Sequence, residues 1–321
     1  MKPRFCTFLA IALSLYSAGC TSTVVEKSAR SQDPAVVFEE QMKRAERFHR
    51  RDLIPLANRH YAEAIRSAQA FPPDDPRRSK AHTQRAELRL AMGDYTGAEE
   101  DYRAIIKVER LRARTRASLE LSNALNNLAV FLIDLDRIPE VEPLLTEALS
   151  NRIEIFGEDH PMVAVLLQNY ADSQRRARNY PTAEQLFVRA LSIYVHSDKE
   201  FFRQAAIAQN GLALVFAETH RPNEAERNHV SAIRLSIKAG GEHNPDIGVF
   251  SRDLANLYTQ EGRTDEAEGL YKGSIAIFRD KLGEQSYQLS KSYRAYSKML
   301  ASVGRRREAA YFAARADATG F

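Results

Sequence analysis

Polar side chains that could bind a partner recur along this chain at a nearly constant interval. Amides and carboxylates dominate the middle of the sequence, and arginine and lysine follow later. Amides both donate and accept hydrogen bonds, so a row of them can pair with the backbone of an extended peptide. The cations add a preference for acidic groups. The candidate partner-binding residues are Asn126, Asn127, Gln168, Asn169, Asp172, Asn210, Arg252, Asp253, Asn256, Arg294 and Lys298. The alternative is that some of these amides only bond to neighbouring helices or cap turns.

Residues for catalysis or metal binding form no recognisable motif. The sequence contains no glycine-rich phosphate loop, no HExxH, no CxxC pair and no GxSxG elbow. Its eight histidines are scattered. His160 and His243 fall in predicted turns and His229 at a predicted helix-packing position, which favours capping or packing roles. The sequence therefore predicts no enzyme, no metal, no cofactor and no small-molecule substrate.

Charge and cysteine content exclude further classes. The formal net charge is only +4, which is too small a bias to indicate nucleic-acid binding. The alternating arginines from Arg110 to Arg116 are interpreted as a solvated helix face. Both cysteines lie in the first twenty residues. The rest of the chain therefore has no disulfide framework and no thiolate metal site.

The amino terminus has the pattern of a bacterial lipoprotein signal. A basic start is followed by twelve mainly apolar residues, 5–16, which are too few to cross a membrane as a helix. The small residues 17–19 before Cys20 resemble the lipobox, although Ser17 stands where leucine is usual. This resemblance implies a signal peptide at 1–19, a lipidated Cys20 and a polar tether over 20–32. A signal cleaved without lipidation is the alternative.

The same resemblance implies a location. By the sorting rule of enteric bacteria, Thr21 after the lipidated cysteine favours the outer membrane, with the protein facing the periplasm. The expected site is therefore the cell envelope, with membrane contact through the lipid anchor only.

A repeat organises the remaining residues, 33–321. A small residue opens each predicted second helix at intervals of 41 to 43 residues: Ala57, Ala98, Val141, Ala183, Ala225, Ala267 and Ala309. Twelve residues before each stands another small residue: Ala45, Ala86, Ala129, Ala171, Ala213, Ala255 and Ser297. Apolar residues between them recur with a period of 3.6, so each unit is predicted to be two amphipathic helices that cross at these small side chains. The predicted units span about 34–75, 76–117, 118–159, 160–201, 202–243, 244–285 and 286–321.

This pattern resembles the tetratricopeptide repeat, and closely the 42-residue variety found in kinesin light chains. The resemblance is carried by ALNNLAVFLIDLDRIPEVEPLLTEALSNRIEIFG at 124–157 and by NLYTQEGRTDEAEGLYKGSIAIFRDKLG at 256–283. It implies an all-α, right-handed solenoid of about seven antiparallel helix pairs. In such repeats the first helix of each pair lines the inner surface, where ligand peptides lie.

Two functions remain open. The first is a protein-binding scaffold of the cell envelope that holds an extended segment of a partner protein in its concave groove. The second is a structural or assembly subunit of an envelope biogenesis or secretion complex, with binding through the convex surface. An enzyme acting on the cell wall is a distant third, because the sequence contains no paired carboxylates in a recognisable site.

The lipid anchor can be tested directly. We expect Cys20→Ser to move the protein from the membrane fraction to the soluble fraction, because burial of acyl chains contributes about 0.8 kcal/mol per CH₂ and no other membrane anchor is predicted. Cell fractionation with immunoblotting measures this distribution. A variant that stayed in the membrane fraction and needed detergent for release would contradict lipidation.

Overall fold

The computed structural model describes residues 33–114, 116–197, 199–242 and 244–320. Within these ranges all regular structure is helical, with short 3₁₀ helices at Ile138–Glu140 and Lys199–Phe201. The fourteen α-helices are α1 Pro34–His49, α2 Ile54–Ala68, α3 Pro76–Ala91, α4 Tyr95–Arg112, α5 Leu119–Asp134, α6 Val141–Phe156, α7 Pro161–Arg176, α8 Tyr180–Val195, α9 Phe202–Glu218, α10 Pro222–Gly240, α11 Pro245–Gln260, α12 Thr264–Leu282, α13 Tyr287–Ser302 and α14 Arg306–Ala318. The predicted all-α fold of seven helix pairs is confirmed. The predicted signal, Cys20, the tether and His243 lie outside the described residues.

The chain divides into two compact units, with the boundary between Ala124 and Leu125. The first unit holds α1 to α4 and the start of α5. The second unit holds the rest of α5 and all later helices. In each unit a first helix packs against the second helix that follows it, as α1 does on α2 and α9 on α10.

The helices of each pair cross at the predicted small residues. All seven that open the second helices are buried, and Ala309 at 7% is the most exposed of them. Six of the seven partners on the first helices have 0% exposure. A methyl group at a crossing lets two backbones approach closely, and a larger side chain four residues later, such as Phe187 or Tyr271, fills the adjacent space. The predicted packing register is therefore confirmed.

Four first helices begin with the same capping arrangement. A polar residue precedes proline, and its side chain accepts a hydrogen bond from the backbone N–H two residues later. The distances are 2.9 Å at Asp33, 2.9 Å at Asp75, 3.1 Å at His160 and 3.0 Å at Asn244. The capping role of His160 is confirmed, and Asp33 caps α1 in the same way.

The turn inside every pair contains one residue in the left-handed region. These residues have φ between 57° and 80° and are Asp52, Gly93, Asp136, Arg178, His220, Gly262 and Gly304. Glycine adopts this conformation without strain, whereas a larger residue costs about 1–2 kcal/mol. The sequence indicated four of these turn positions through Gly93, Asp136, Gly262 and Gly304. Arg178 and His220 have no such signature and are identified by the structure.

Contacts between consecutive pairs use the recurring glutamates at the start of the second helices. An arginine that precedes the second helix donates to the glutamate 37 residues earlier: Arg221 to Glu184, Arg263 to Glu226 and Arg305 to Glu268. The first two contacts measure 2.8 Å. The Arg305 guanidinium and then the Lys272 ammonium lower the pKa of Glu268 to about 2. Glu184, Glu226 and Glu268 therefore join neighbouring pairs.

Relief of backbone strain at a turn gives a stability prediction. We expect Arg178→Gly to raise the free energy of unfolding by about 0.5–1 kcal/mol, because the strain removed exceeds the entropy that glycine adds to the unfolded chain. The side chain of Arg178 is exposed, so little packing is lost. Urea unfolding followed by circular dichroism measures the change.

The matched control is Gly262→Ala, which introduces a side chain at φ 77°. No atom lies within 4 Å of the added Cβ, so any effect arises from the backbone alone. We expect a loss of about 1 kcal/mol. If Arg178→Gly lowered the unfolding midpoint, strain at this turn would not be the governing effect.

Candidate partner-binding face

All the predicted partner-binding residues lie on first helices of the second unit: α5, α7, α9, α11 and α13. Consecutive members of this row from α7 to α13 contact each other. Their shared surface, bearing the eleven predicted residues, is called the first-helix face below. Because the repeat places equivalent residues on each helix, side chains at one register form a row across this face.

Neighbouring first helices are joined by polar contacts between residues 43 positions apart. Asn169 Nδ2 on α7 donates to Asn126 Oδ1 on α5 at 2.7 Å. Asn210 Nδ2 on α9 donates to Asp253 Oδ2 on α11 at 2.9 Å. These four predicted residues therefore hydrogen-bond within the fold, as the alternative interpretation of the amides expected. We call these contacts the helix seam.

The helix seam has a gap between α7 and α9. Gln168 stands where Asn126 and Asn210 stand on their helices, and the position that should pair with it is Gly211, which has no side chain. The Oε1 atom of Gln168 is buried and has no hydrogen-bond partner among the described residues. The Phe187 ring occupies the side-chain space at Gly211, with Cζ 2.3 Å from where a Cβ would lie. Gln168 therefore keeps an unused acceptor.

Asn210 also contacts the buried His229 of α10. The Nδ1 atom of His229 lies 2.8 Å from Asn210 Oδ1. The Nδ2 group of Asn210 donates to Asp253, so Oδ1 of Asn210 is the atom that faces His229. This oxygen can only accept, and neutral His229 therefore carries its proton on Nδ1. Nε2 is buried without a partner in the described structure. Burial lowers the pKa of His229 to about 4, although the charge of Asp253 opposes this shift.

Three of the remaining predicted residues also hydrogen-bond within the fold. Asn256 Oδ1 accepts from the Tyr271 hydroxyl at 2.7 Å. Arg252 is only 8% exposed and donates to Gln288 Oε1 at 2.9 Å. Asp172 accepts hydrogen bonds from Arg175 and Arg176 of the same helix. Arg252 is therefore not available to a partner as predicted, because its guanidinium is buried.

Three predicted residues at or near the surface differ from this pattern. Asn127 and Lys298 are exposed and have no hydrogen bond or ion pair within the described ranges. Arg294 is also exposed, and its guanidinium lies 3.7 Å from the Asp317 carboxylate. Together with the acceptor of Gln168, Asn127 and Lys298 supply the unused polar groups of this face.

The sequence interpretation missed an apolar row on the same face. Val165, Ile207 and Val249 are half-buried and stand 42 residues apart, one on each of α7, α9 and α11. Each lies three residues before Gln168 or before the equivalent position on its own helix. This spacing places the apolar row and the polar row on one helix face. The 42-residue spacing of three β-branched residues was the available signal.

Membrane-spanning and metal-binding features are absent from the described residues. Among the described residues, no helix combines the length and apolar character needed to cross a membrane. No group of three or more His, Cys, Asp or Glu side chains in those ranges could hold a metal ion.

Comparison with known proteins identifies the repeat. Residues 120–194 and 204–279 match the tetratricopeptide repeat family. Protein kinesin light chain-related 1 of Arabidopsis thaliana is 22% identical over 163 residues, which cover 50% of this chain and 26% of the relative. The chain therefore spans about a quarter of that relative's length. The resemblance to tetratricopeptide repeats of the kinesin-light-chain kind is confirmed.

Two solved structures share the fold. A tetratricopeptide repeat protein from Parabacteroides merdae has a TM-score of 0.61 at 18% identity, covering 89% of this chain and 94% of its own. A Rap protein complexed with competence and sporulation factor has a TM-score of 0.59 at 14% identity, covering 93% of this chain and 79% of its own. At these identities the likeness shows the fold alone.

The buried imidazole predicts a pH effect on stability. His229 in the folded protein has a pKa of about 4, below the ordinary value of 6.5, so the unfolded chain binds the proton more readily between these values. The contribution of neutral His229 is therefore present above pH 6.5 and is lost as pH falls. We expect it to lower the free energy of unfolding by about 2 kcal/mol between pH 7 and pH 5.

The matched variant is His229→Gln, whose side-chain amide can still donate to Asn210 but does not titrate in this range. Urea unfolding at pH 7, 6 and 5 compares the two proteins. The variant should lose less stability than the wild type over this interval. Equal losses in both proteins would show that His229 is not the group responsible.

Proposed function

We propose that this protein is a non-enzymatic scaffold of the bacterial cell envelope that holds an extended segment of a partner protein along its first-helix face. The tetratricopeptide repeats support protein binding as the general role. The Rap protein of the same fold is complexed with competence and sporulation factor, which supports ligand binding by such an array. Lipidation of Cys20 would keep the bound partner near the membrane.

The unsatisfied acceptor of Gln168 is the observation that carries this proposal. A buried polar atom without a hydrogen bond is costly, so a donor arriving with a partner gains the full value of the bond. Gln168 is half-buried, and turning its amide towards solvent would let Oε1 accept from the backbone N–H of an extended segment. Gln168 lies at the gap in the helix seam, where no neighbouring side chain competes for it.

The surroundings of this acceptor suit an extended segment. Asn127 on α5 offers a further amide, and the half-buried Val165 and Ile207 offer apolar surface to side chains of the partner. Residues of an extended chain point alternately to opposite sides, so one set can contact the apolar row while the backbone bonds to amides. Lys298 on α13 adds a preference for an acidic residue or a terminal carboxylate.

The second helices support the alternative function, a structural or assembly subunit of an envelope biogenesis or secretion complex. Val188 on α8 is 50% exposed and Val230 on α10 is 37% exposed. They stand 42 residues apart and so repeat on the surface of the second helices. A folded partner could bury these side chains without contacting the first-helix face.

A triple substitution tests which surface binds. We expect Asn127→Ala, Gln168→Ala and Lys298→Ala together to weaken partner capture by about 10–100-fold, because each lost hydrogen bond contributes about 0.5–1.5 kcal/mol and the charged one more. Affinity purification from detergent-solubilised membranes with quantitative mass spectrometry identifies the partner. Titration of the purified partner then measures the dissociation constant.

The control changes the same residue types on exposed positions of the second helices: Gln185→Ala, Asn223→Ala and Lys238→Ala. This variant should capture the partner as the wild type does, and both variants should keep the helical circular dichroism signal. If the control lost binding while the first variant kept it, the second helices would carry the interaction and the groove proposal would be wrong.

A further inference from the structure

A separate cavity lies in the first unit, between α2, α3 and α4. Its volume of about 480 Å³ falls within the range of about 300–1,000 Å³ that is usual for small-molecule sites. It is formed entirely by residues between Ile65 and Leu111, so it shares nothing with the first-helix face. The function proposed above does not use it.

Most of the cavity wall is apolar. Ile65 and Ala68 contribute from α2, and Ala104, Val108 and Leu111 contribute from α4. The residues on α4 recur every three or four positions, so they line one face of that helix. A ligand that fills this space needs an apolar part.

Cationic side chains also line the cavity. Arg78 and Lys107 line it together with His82, and no aspartate or glutamate does. The Nη2 atom of Arg78 donates to the backbone oxygens of Gln69 at 2.8 Å and Phe71 at 2.6 Å, which fixes the guanidinium in place. Arg78 therefore presents a fixed positive charge.

A buried carboxylate beside His82 has cationic partners of its own. Asp101 is fully buried and lies 2.6 Å from Nδ1 of His82. It also accepts from Arg85 at 2.6 Å and from Arg89 at 3.0 Å, so two arginines outside the cavity already balance it. Asp75, whose pKa is lowered chiefly by Arg77 and also by Arg78, balances part of the Arg78 charge, whereas Lys107 has no ion pair among the described residues.

The few polar groups in the cavity wall favour a hydrocarbon chain over a peptide as the ligand. Most of the lining residues lie in helices, whose backbone groups bond within the helix, and Gln69 is the one neutral amide among them. A peptide in this space would leave its own backbone groups without partners, which is costly. A hydrocarbon chain needs no such partners.

We propose that this cavity binds a fatty carboxylate, with the carboxylate at Arg78 and Lys107 and the hydrocarbon tail between α2 and α4. The two lining cations and the absence of lining acids select the anionic head, and the apolar wall selects the tail. Binding is reversible and involves no chemical change in the ligand.

Isothermal titration of the full chain with dodecanoate, below its micellar concentration, tests this site. We expect saturable binding with one ligand per chain. Dodecanol, which has the same tail without the charge, should bind at least tenfold more weakly. Shorter carboxylates should lose roughly fourfold in affinity per buried methylene. Equal binding of dodecanol and dodecanoate would overturn the proposal.

Single substitutions test whether dodecanoate binds in this cavity. Lys107→Gln should weaken dodecanoate binding about fivefold, because one charge-assisted contact is lost. Lys80→Gln, an exposed lysine of α3 that does not line the cavity, should leave it unchanged. Ala104→Phe should fill the tail site and abolish binding. If Lys107→Gln and Ala104→Phe both bound dodecanoate as the wild type does, the proposal would be wrong.

Discussion

Close crossing of paired helices at small side chains is the constraint on which the rest of this structure depends. Ala171 and Ala183 of one pair, and Ala255 and Ala267 of another, all have 0% exposure. Because only a small side chain fits well at such a crossing, a small residue recurs there in every pair with a period near 42 residues. The turn residue, the arginine–glutamate contact and the polar rows then recur at the same period.

This period also explains why the first-helix face is only partly available to a partner. Equivalent positions on neighbouring helices are 42 residues apart, but the side chains that meet are 43 apart, as Asn126 and Asn169 are. Most polar groups on this face therefore stabilise the array. We propose that recognition uses groups whose seam partner is missing, above all Gln168, opposite Gly211. Because Gly211 has no side chain, the Gln168 amide lacks the seam partner that the equivalent amides of Asn126 and Asn210 have.

The sequence predicted what depends on the repeat and missed what depends on single contacts. The packing register, the seven pairs and the cap at His160 follow from local patterns along the chain, so they could be predicted. The sequence could not distinguish amides that pair within the fold from amides available to a partner. A one-residue offset between neighbouring helices decides which side chains meet. Likewise His229 was assigned to packing correctly, but its lowered pKa arises from burial, against the opposing charge of Asp253.

The most direct measurement of the central claim is site-specific photo-crosslinking in living cells. A photoreactive phenylalanine analogue replaces Asn127 on the first-helix face in one strain and Val188, an exposed residue of α8, in another. The account predicts a covalent adduct with the partner protein from position 127 and none from position 188. An adduct from position 188 alone would contradict it and assign binding to the second helices.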